Sequence, residues 1–561
     1  MGWPYHFVSL DEGQQARRRQ LLDGYGQFAQ LSILLLPLIY QLGLGVRLLM
    51  GRLQRRNVYQ AVKEHQSPVA SGFKQPAIGG TGNVWAKLRW ALDEPVAEGW
   101  GTRKEWLAVG LWGAWLLLLV VKDTGDDYLH ITRRFGIIAA SQLPLHYMLA
   151  LKSWSPIHYL TRLSHESLNP YHRLLGRLII TLMACHASLY LNFYVQNGLL
   201  LKRIKDWDVI LGLMAISSAL LIGTTALARV RDWNYRLFFY AHVVLSVTLL
   251  PVLFLHVSHL RVYILEAAAI YAVLILQRNV DQSSAQATIK TLPGTNLLSI
   301  TIPLSKSLVK RTYKPGMHIY LGFPSLPQKL RINPFSIANP DPHEDKNIHL
   351  VARALGGTTA MLADLATKPQ PTPLLIEGPY GSASYFPDLA NYDRVLFVAG
   401  GVGATFTLPI YRDLLRRSAA GEQIPVAKFI WTVRSGSDAA WGIRQLSEQC
   451  EGSLPTECEV FVTGKGGNGR GEAAGAESIE LQEREGLLSG SASKEGAADA
   501  IRRGKPDLRV IIDEVFSHDG SDRAAVLVCG PRGMGASVRR EVGRWVWRGR
   551  DVFWHSEEFG W

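Results

Sequence analysis

Two apolar stretches, 171–195 and 236–257, each carry a pair of histidines 14 residues apart: His172 with His186, and His242 with His256. In a helix, that offset is close to four turns, a rise of about 21 Å with a net rotation of only about 40°. Both imidazoles of a pair therefore look out of one face, and the rise fits within a hydrocarbon core of about 30 Å. A single intramembrane histidine is explained as well by a hydrogen bond to a hydroxyl or carbonyl as by ligation. With 16 His in 561 residues, the same offset on two apolar segments is a rare coincidence, and the repetition favours four axial ligands. Zinc or copper between facing imidazoles usually recruits further Cys, His or carboxylate ligands, and none stands at suitable spacing. Two stacked haems need only this pattern, because the porphyrin supplies the other four donors.

The mean hydropathy of +0.05 averages a very apolar half with an ordinary soluble half. The net charge of +13 does not point to nucleic acid: the basic residues cluster beside apolar segments rather than interleaving with aromatics, which suits a membrane surface. Four cysteines, Cys185, Cys450, Cys458 and Cys529, show no zinc-site spacing and are too few for a disulfide scaffold. Arg17, Arg18 and Arg19 precede a long apolar run with no clear small-residue cleavage site, so a retained anchor is expected.

Hydropathy predicts seven spans: 27–50, 106–121, 128–151, the first histidine helix, 207–228, the second histidine helix, and 260–276. The third contains Arg133, Arg134 and His146, so its start is expected to be interfacial. One span separates the two histidine helices, which therefore run in the same direction. His172 then pairs by depth with His242, and His186 with His256. The loop between the first two spans is basic and the next one, with Asp123, Asp126 and Asp127, is acidic. The basic loop is expected in the cytosol and the amino terminus outside, against the sense of Arg17–Arg19 and of Lys202, Arg203 and Lys205. Gly176, one turn from His172, is read as admitting a flat porphyrin. Arg173 and Arg177 are read as snorkelling to phospholipid or meeting haem propionates. An iron-gathering role for Asp123, Asp126, Asp127, His130 and His259 is set aside in favour of an acidic solvated loop.

From Ala285 the texture changes to short alternating runs broken by Pro and Gly, the pattern of a small antiparallel barrel. Within it lie Asn333-Pro334-Phe335-Ser336 and, opening a helix that runs through Leu365, Gly356-Gly357-Thr358, whose backbone N–H groups can face a pyrophosphate. An apolar strand then runs into Gly400-Gly401-Val402-Gly403-Ala404-Thr405 and a helix, a turn that lets a dinucleotide phosphate approach the backbone without the full GxGxxG pattern. Further strands build a parallel sheet, the last ending at Cys529-Gly530-Pro531. Residues 464–506, rich in Gly, Ala, Ser and Glu, are read as a flexible insertion.

From the first histidine helix to Trp561 the chain resembles the fungal ferric-chelate reductases, relatives of the NADPH oxidases. They carry two equally spaced histidine pairs, an HPF[ST] flavin motif, a GGxGxT turn, a CGP segment and an acidic, aromatic end, here Ser556-Glu557-Glu558-Phe559-Gly560-Trp561. The resemblance implies that Pro334, Phe335 and Ser336 line FAD and that Gly356, Gly357 and Thr358 hold its pyrophosphate. It also implies that Gly400, Gly401, Gly403 and Thr405 receive NADPH, with Cys529, Gly530, Pro531 and Phe559 at the nicotinamide and flavin rings. Asn333 stands where the family usually has His, keeping hydrogen bonding and losing a cation. Glu377-Gly378-Pro379-Tyr380-Gly381 matches the family's link between its two cytosolic lobes.

The expected architecture is multi-domain. Residues 1–105 form an N-terminal segment, 106–278 a helical transmembrane haem domain, 279–388 an antiparallel β-barrel for FAD, and 389–561 a ferredoxin reductase-like α/β domain for NADPH. The expected activity moves electrons from cytosolic NADPH through FAD and two b-type haems to a ferric or cupric chelate, with no catalytic acid, base or nucleophile. A superoxide-producing oxidase is the first alternative and a regulatory membrane haem protein the second. Expected partners are the lipid membrane, the metal chelate, and an iron permease or a second copy of the chain, with no nucleic acid. The expected location is the plasma membrane.

Overall fold

A computed structural model describes residues 4–558 apart from 36, 47–48, 50–80, 98, 325–332, 369, 451–453, 465–499 and 518–522. The chain forms two compact units, one from Met1–Gly72 and Leu92–Val280, the other from Phe73–Ala91 and Asp281–Trp561.

The first unit is helical apart from a short antiparallel hairpin, β1 (Pro95–Ala97) and β2 (Gly101–Thr102). Six of its described helices are long and apolar enough to cross a membrane. They are α1 (Glu12–Leu31), which a 3-10 turn extends towards Val46, α3 (Arg103–Val121), α6 (His165–Gln196), α7 (Trp207–Thr225), α8 (Tyr235–His256) and α9 (Arg261–Asp281). The 22 residues of α8 span about 33 Å, enough for the hydrocarbon core. Leu111, Leu118, Val244 and Leu255 are exposed on the bundle's outside, where lipid rather than water satisfies them.

The expected third span differs. It is α4 (Tyr128–Ser141) followed by the short α5 (Leu143–Met148), with Gln142 at the junction. Its start packs inside the bundle, where Arg134 has no accessible surface. Arg134 survives there because Nη1 donates to the Leu119 carbonyl at 3.0 Å, Nη2 meets His130 Nε2 at 3.1 Å, and the guanidinium lies 4.0 Å over the Tyr25 ring. Gln142, also fully buried, accepts from Trp112 Nε1 at 3.0 Å. This is the means by which polar groups persist in hydrocarbon.

The second unit opens where α9 ends, for β3 (Gln282–Thr291) follows it without a loop. Six antiparallel strands take the order β6-β5-β8-β3-β4-β7. They are β4 (Leu297–Pro303), β5 (His318–Gly322), β6 (Asn333–Ser336), β7 (Asn347–Arg353) and β8 (Thr372–Tyr380) with β3. An Ile337–Leu350 bridge brings the two ends of the sheet together into a nearly closed barrel.

The following lobe is a parallel sheet ordered β12-β11-β10-β9-β13-β14: β9 (Arg394–Gly400), β10 (Val426–Val433), β11 (Cys458–Val462), β12 (Ile501–Arg503), β13 (Ala524–Cys529) and β14 (Val552–Glu557). The order reverses between β9 and β13, the position at which such sheets leave a crevice for ligands. The expected flexible insertion 464–506 therefore needs correction at its end, because Ile501–Arg503 adds a parallel edge strand to β11. A three-residue edge strand with one apolar residue carries too little periodicity to be read from sequence.

Candidate functional sites

In the bundle, α7 packs against both histidine helices. The His172 and His242 rings face each other with centroids 6.2 Å apart at 60°. Two imidazoles on opposite sides of one metal, at about 2 Å per metal–nitrogen bond, give about that separation. Three of the four histidines are fixed by a backbone carbonyl, which can only accept, so Nδ1–H donates: His172 to His146 O (3.1 Å), His186 to Thr132 O (2.8 Å) and His256 to Asp208 O (2.6 Å). That bond leaves Nε2 deprotonated and available to a metal. His242 Nδ1 is buried without a partner, and His256 is an electrostatic neighbour of His186.

The histidine rings need room. A Cβ on Gly136 would lie 2.8 Å from the His186 ring, and one on Gly212 would lie 2.9 Å from His256. Gly176 serves a different ring from the one expected: its Cβ would meet His146 Cε1 at 2.9 Å. His146 stacks on His172 with centroids 4.0 Å apart at 9°. Beside Gly176 the bundle thus places a third imidazole, delivered by α5. Only its presence in an apolar segment hinted at this.

The same end of the bundle is cationic. Arg173 donates to Gly99 O at 3.3 Å, Arg177 lies 4.5 Å over the Trp100 ring, and Arg231 is their electrostatic neighbour. Arg177 Nη1 and Arg231 Nε are buried without partners. Unspent guanidinium N–H groups beside an opposed imidazole pair fit the propionates of a haem. At the other end Arg133 donates to Tyr190 Oη at 3.0 Å, beside the His186 ring. Of the residues set aside from sequence, Asp127 caps α4 and pairs with Arg18 at 2.8 Å, Asp123 accepts from Tyr25, His130 meets Arg134, and His259 pairs with Asp23 at 2.8 Å. Among the described residues, no group of three or more His, Cys, Asp or Glu could hold a metal ion.

In the barrel, Asn333, Pro334, Phe335 and Ser336 constitute β6, paired with β5 so that Tyr320 stands opposite Pro334 and His318 opposite Ser336. Asn333 is exposed while Phe335 and Ser336 are buried. Gly357, at φ +58°, opens α10 (Thr358–Ala366), and nothing lies within 4 Å of a Cβ at Gly356 or Gly357. That leaves the helix's first N–H groups approachable by an anion.

The fold brings the other two nucleotide motifs together at the sheet's switch point. After β9, Gly401–Gly403 form a 3-10 turn into α11 (Ala404–Ala419). A Cβ on Gly403 would fall 2.1 Å from Cys529 O, and one on Gly400 2.7 Å from Pro531 Cδ. Gly530 lies against Gly400 in turn. Thr405 is buried and its hydroxyl donates to Val402 O at 2.8 Å, so at this position the turn offers backbone rather than the threonine side chain. Burial pushes the Cys529 thiol well up, with Glu557, its partner across β14, adding to the effect. Glu557 accepts from Ser382 at 3.0 Å, linking the parallel-sheet lobe to the barrel. Phe559 lies outside the described residues.

Family comparison agrees with these three parts in order. A ferric reductase like transmembrane component matches 135–253, an FAD-binding domain matches 282–384, and a ferric reductase NAD binding domain matches 392–543. The chain is thus a membrane-embedded, flavin- and nicotinamide-binding oxidoreductase. It carries the transmembrane, FAD-binding and NAD-binding domains found in ferric reductases. A probable metalloreductase AIM14 of Scheffersomyces stipitis is 24% identical over 82% of this chain and 86% of the relative. The ferric/cupric reductase transmembrane component 2 of Schizosaccharomyces pombe is 23% identical over 76% and 80%. A cytochrome P450 reductase, GcoB of Amycolatopsis, is 17% identical over 50% of this chain and 71% of its own, with a TM-score of 0.34.

Proposed function

We propose that the chain carries electrons from cytosolic NADPH to a ferric or cupric chelate on the far side of a plasma membrane. The observation that carries this reading is the opposed His172–His242 pair, 6.2 Å apart, in the same chain as the nucleotide lobe. When bound, FAD and two b-type haems convert a two-electron donor into single-electron transfers across the bilayer. His172 and His242 would hold one haem and His186 and His256 the other, with Nε2 the free nitrogen wherever Nδ1 is bonded to a backbone carbonyl. Arg173, Arg177 and Arg231 receive propionates. The start of α10, with Gly356, Gly357 and Thr358, receives the FAD pyrophosphate, and β6 lines its ring. The turn Gly400–Gly403 receives the NADPH phosphates. Cys529, kept as a neutral thiol by burial, offers an uncharged floor beside Gly530 and Pro531 for the nicotinamide. No side chain is required as general acid or base.

The test uses sealed vesicles carrying the protein, with NADPH on the lobe side and a membrane-impermeant ferric chelate on the other. Chelate reduction that survives superoxide dismutase supports the reading. Complete suppression by the dismutase would make the protein a superoxide-producing oxidase instead.

A further inference from the structure

The loop between α1 and α3 contains a helix, α2 (Thr81–Leu92), which the proposed function leaves unused. One side of it is clasped by the nucleotide lobe. The Trp90 ring meets Trp554 of β14 edge-on at 5.6 Å, and the Arg539 guanidinium lies 4.2 Å over Trp90 and donates to its carbonyl at 2.7 Å. Gly543 makes room, since a Cβ there would reach 3.0 Å from Trp90 Nε1, and Ala86 is buried. The opposite arc is bare. Val84, Trp85 and Leu88 fall within about 100° of helical rotation and are 63%, 67% and 45% exposed.

The position of this arc along the chain says what covers it. Asp93, the residue after α2, pairs with Lys104 at 2.6 Å, and Glu94 pairs with Arg103 at 2.9 Å. Arg103 and Lys104 open α3, a membrane-crossing helix. The end of α2 is therefore tied to the point where a span enters the bilayer. Trp100 and Trp106 stack there at 6.0 Å, and tryptophan is enriched where spans meet the membrane–water interface. Lys87 on α2, and Arg103 and Lys104 at the start of α3, carry the positive charge that attracts anionic headgroups.

We propose that α2 is a membrane-surface helix: Val84, Trp85 and Leu88 lie in the headgroup layer of an anionic bilayer while Trp90 holds the nucleotide lobe. An interfacial helix of this kind combines a buried apolar arc with flanking cations. The lobe is thereby fastened to the lipid surface as well as through the covalent link at α9.

The test uses the full-length holoprotein in nanodiscs of phosphatidylcholine with or without phosphatidylserine. An environment-sensitive label is placed at Trp85→Cys or, as control, at the exposed Val510→Cys, in a Cys185→Ser/Cys450→Ser background. Nitroxide lipids are expected to quench the label at 85 about twofold or more over that at 510, more strongly with phosphatidylserine. Trp85→Asp should abolish selective lipid association of α2, read through a label at Leu88→Cys, and Trp85→Phe should restore it. A label at 85 that lipids do not quench would overturn the proposal, whether it is open to water or close to its counterpart in a second copy. This readout needs no turnover, so it stands apart from the choice of electron acceptor.

Discussion

The bundle and the nucleotide lobe both clear space with glycine, but for different neighbours. In the bundle, Gly136, Gly176 and Gly212 each face an imidazole; in the lobe, Gly403 faces the backbone carbonyl of Cys529. A ring can turn aside, whereas a carbonyl held in a parallel sheet cannot. The bundle therefore uses glycine to aim side chains, and the lobe uses it to set the distance between two main chains.

The sharpest way to break that contrast is Gly403→Ala. The added Cβ, 2.1 Å from Cys529 O, should cost about 3 kcal/mol of lobe stability or more. It should also lower NADPH-dependent flavin reduction by about 100-fold. Thermal melting and stopped-flow flavin bleaching read the two effects.

Gly212→Ala should act locally. By pushing the His256 ring aside it should remove about half of the b-type absorbance while FAD content and expression hold. Gly110→Ala, with nothing within 4 Å of its Cβ, should leave the spectrum unchanged. A fold lost in Gly212→Ala, or a spectrum intact, would erase the distinction between the two regions.

Smaller effects sharpen it. Arg177→Gln should weaken haem retention at the His172 end by about tenfold, measured by haem loss to a scavenger, with the other end unaffected. Smallest is the pH dependence of Cys529. Burial raises its pKa, so the folded chain holds the thiol proton more tightly than the unfolded one. Its stabilising contribution is complete below the ordinary thiol pKa and declines as pH rises above it. At about pH 8 the residue should resist maleimide until the lobe is unfolded, which mass spectrometry detects.

The membrane half was legible where a signal is periodic. The 14-residue offsets and the single intervening span named His172 against His242, and the structure opposes those rings. Strand and glycine-turn signals likewise located β9 and the turn after it. What sequence could not reveal depends on contacts between distant segments. His146 reaches His172 only because α5 packs there, so Gly176 was assigned to a porphyrin rather than to that ring. Arg134 looked too polar to bury because its partners Leu119 O and Tyr25 come from other helices, which sequence alone does not bring together. The two-sidedness of α2 was hidden in a basic loop, since the side facing the lobe is defined by Trp554 and Arg539 more than 400 residues on.

The central claim is that two imidazole pairs hold two haems in series. Its most direct measurement is the reduced-minus-oxidised spectrum of purified wild type, His172→Ala and His256→Ala, with haem counted per FAD and reduction by NADPH compared with dithionite. The account predicts two haems per FAD in the wild type and one in each variant. It also predicts that NADPH reduces the haem left in His256→Ala but not the one left in His172→Ala. Two haems retained in both variants would contradict it.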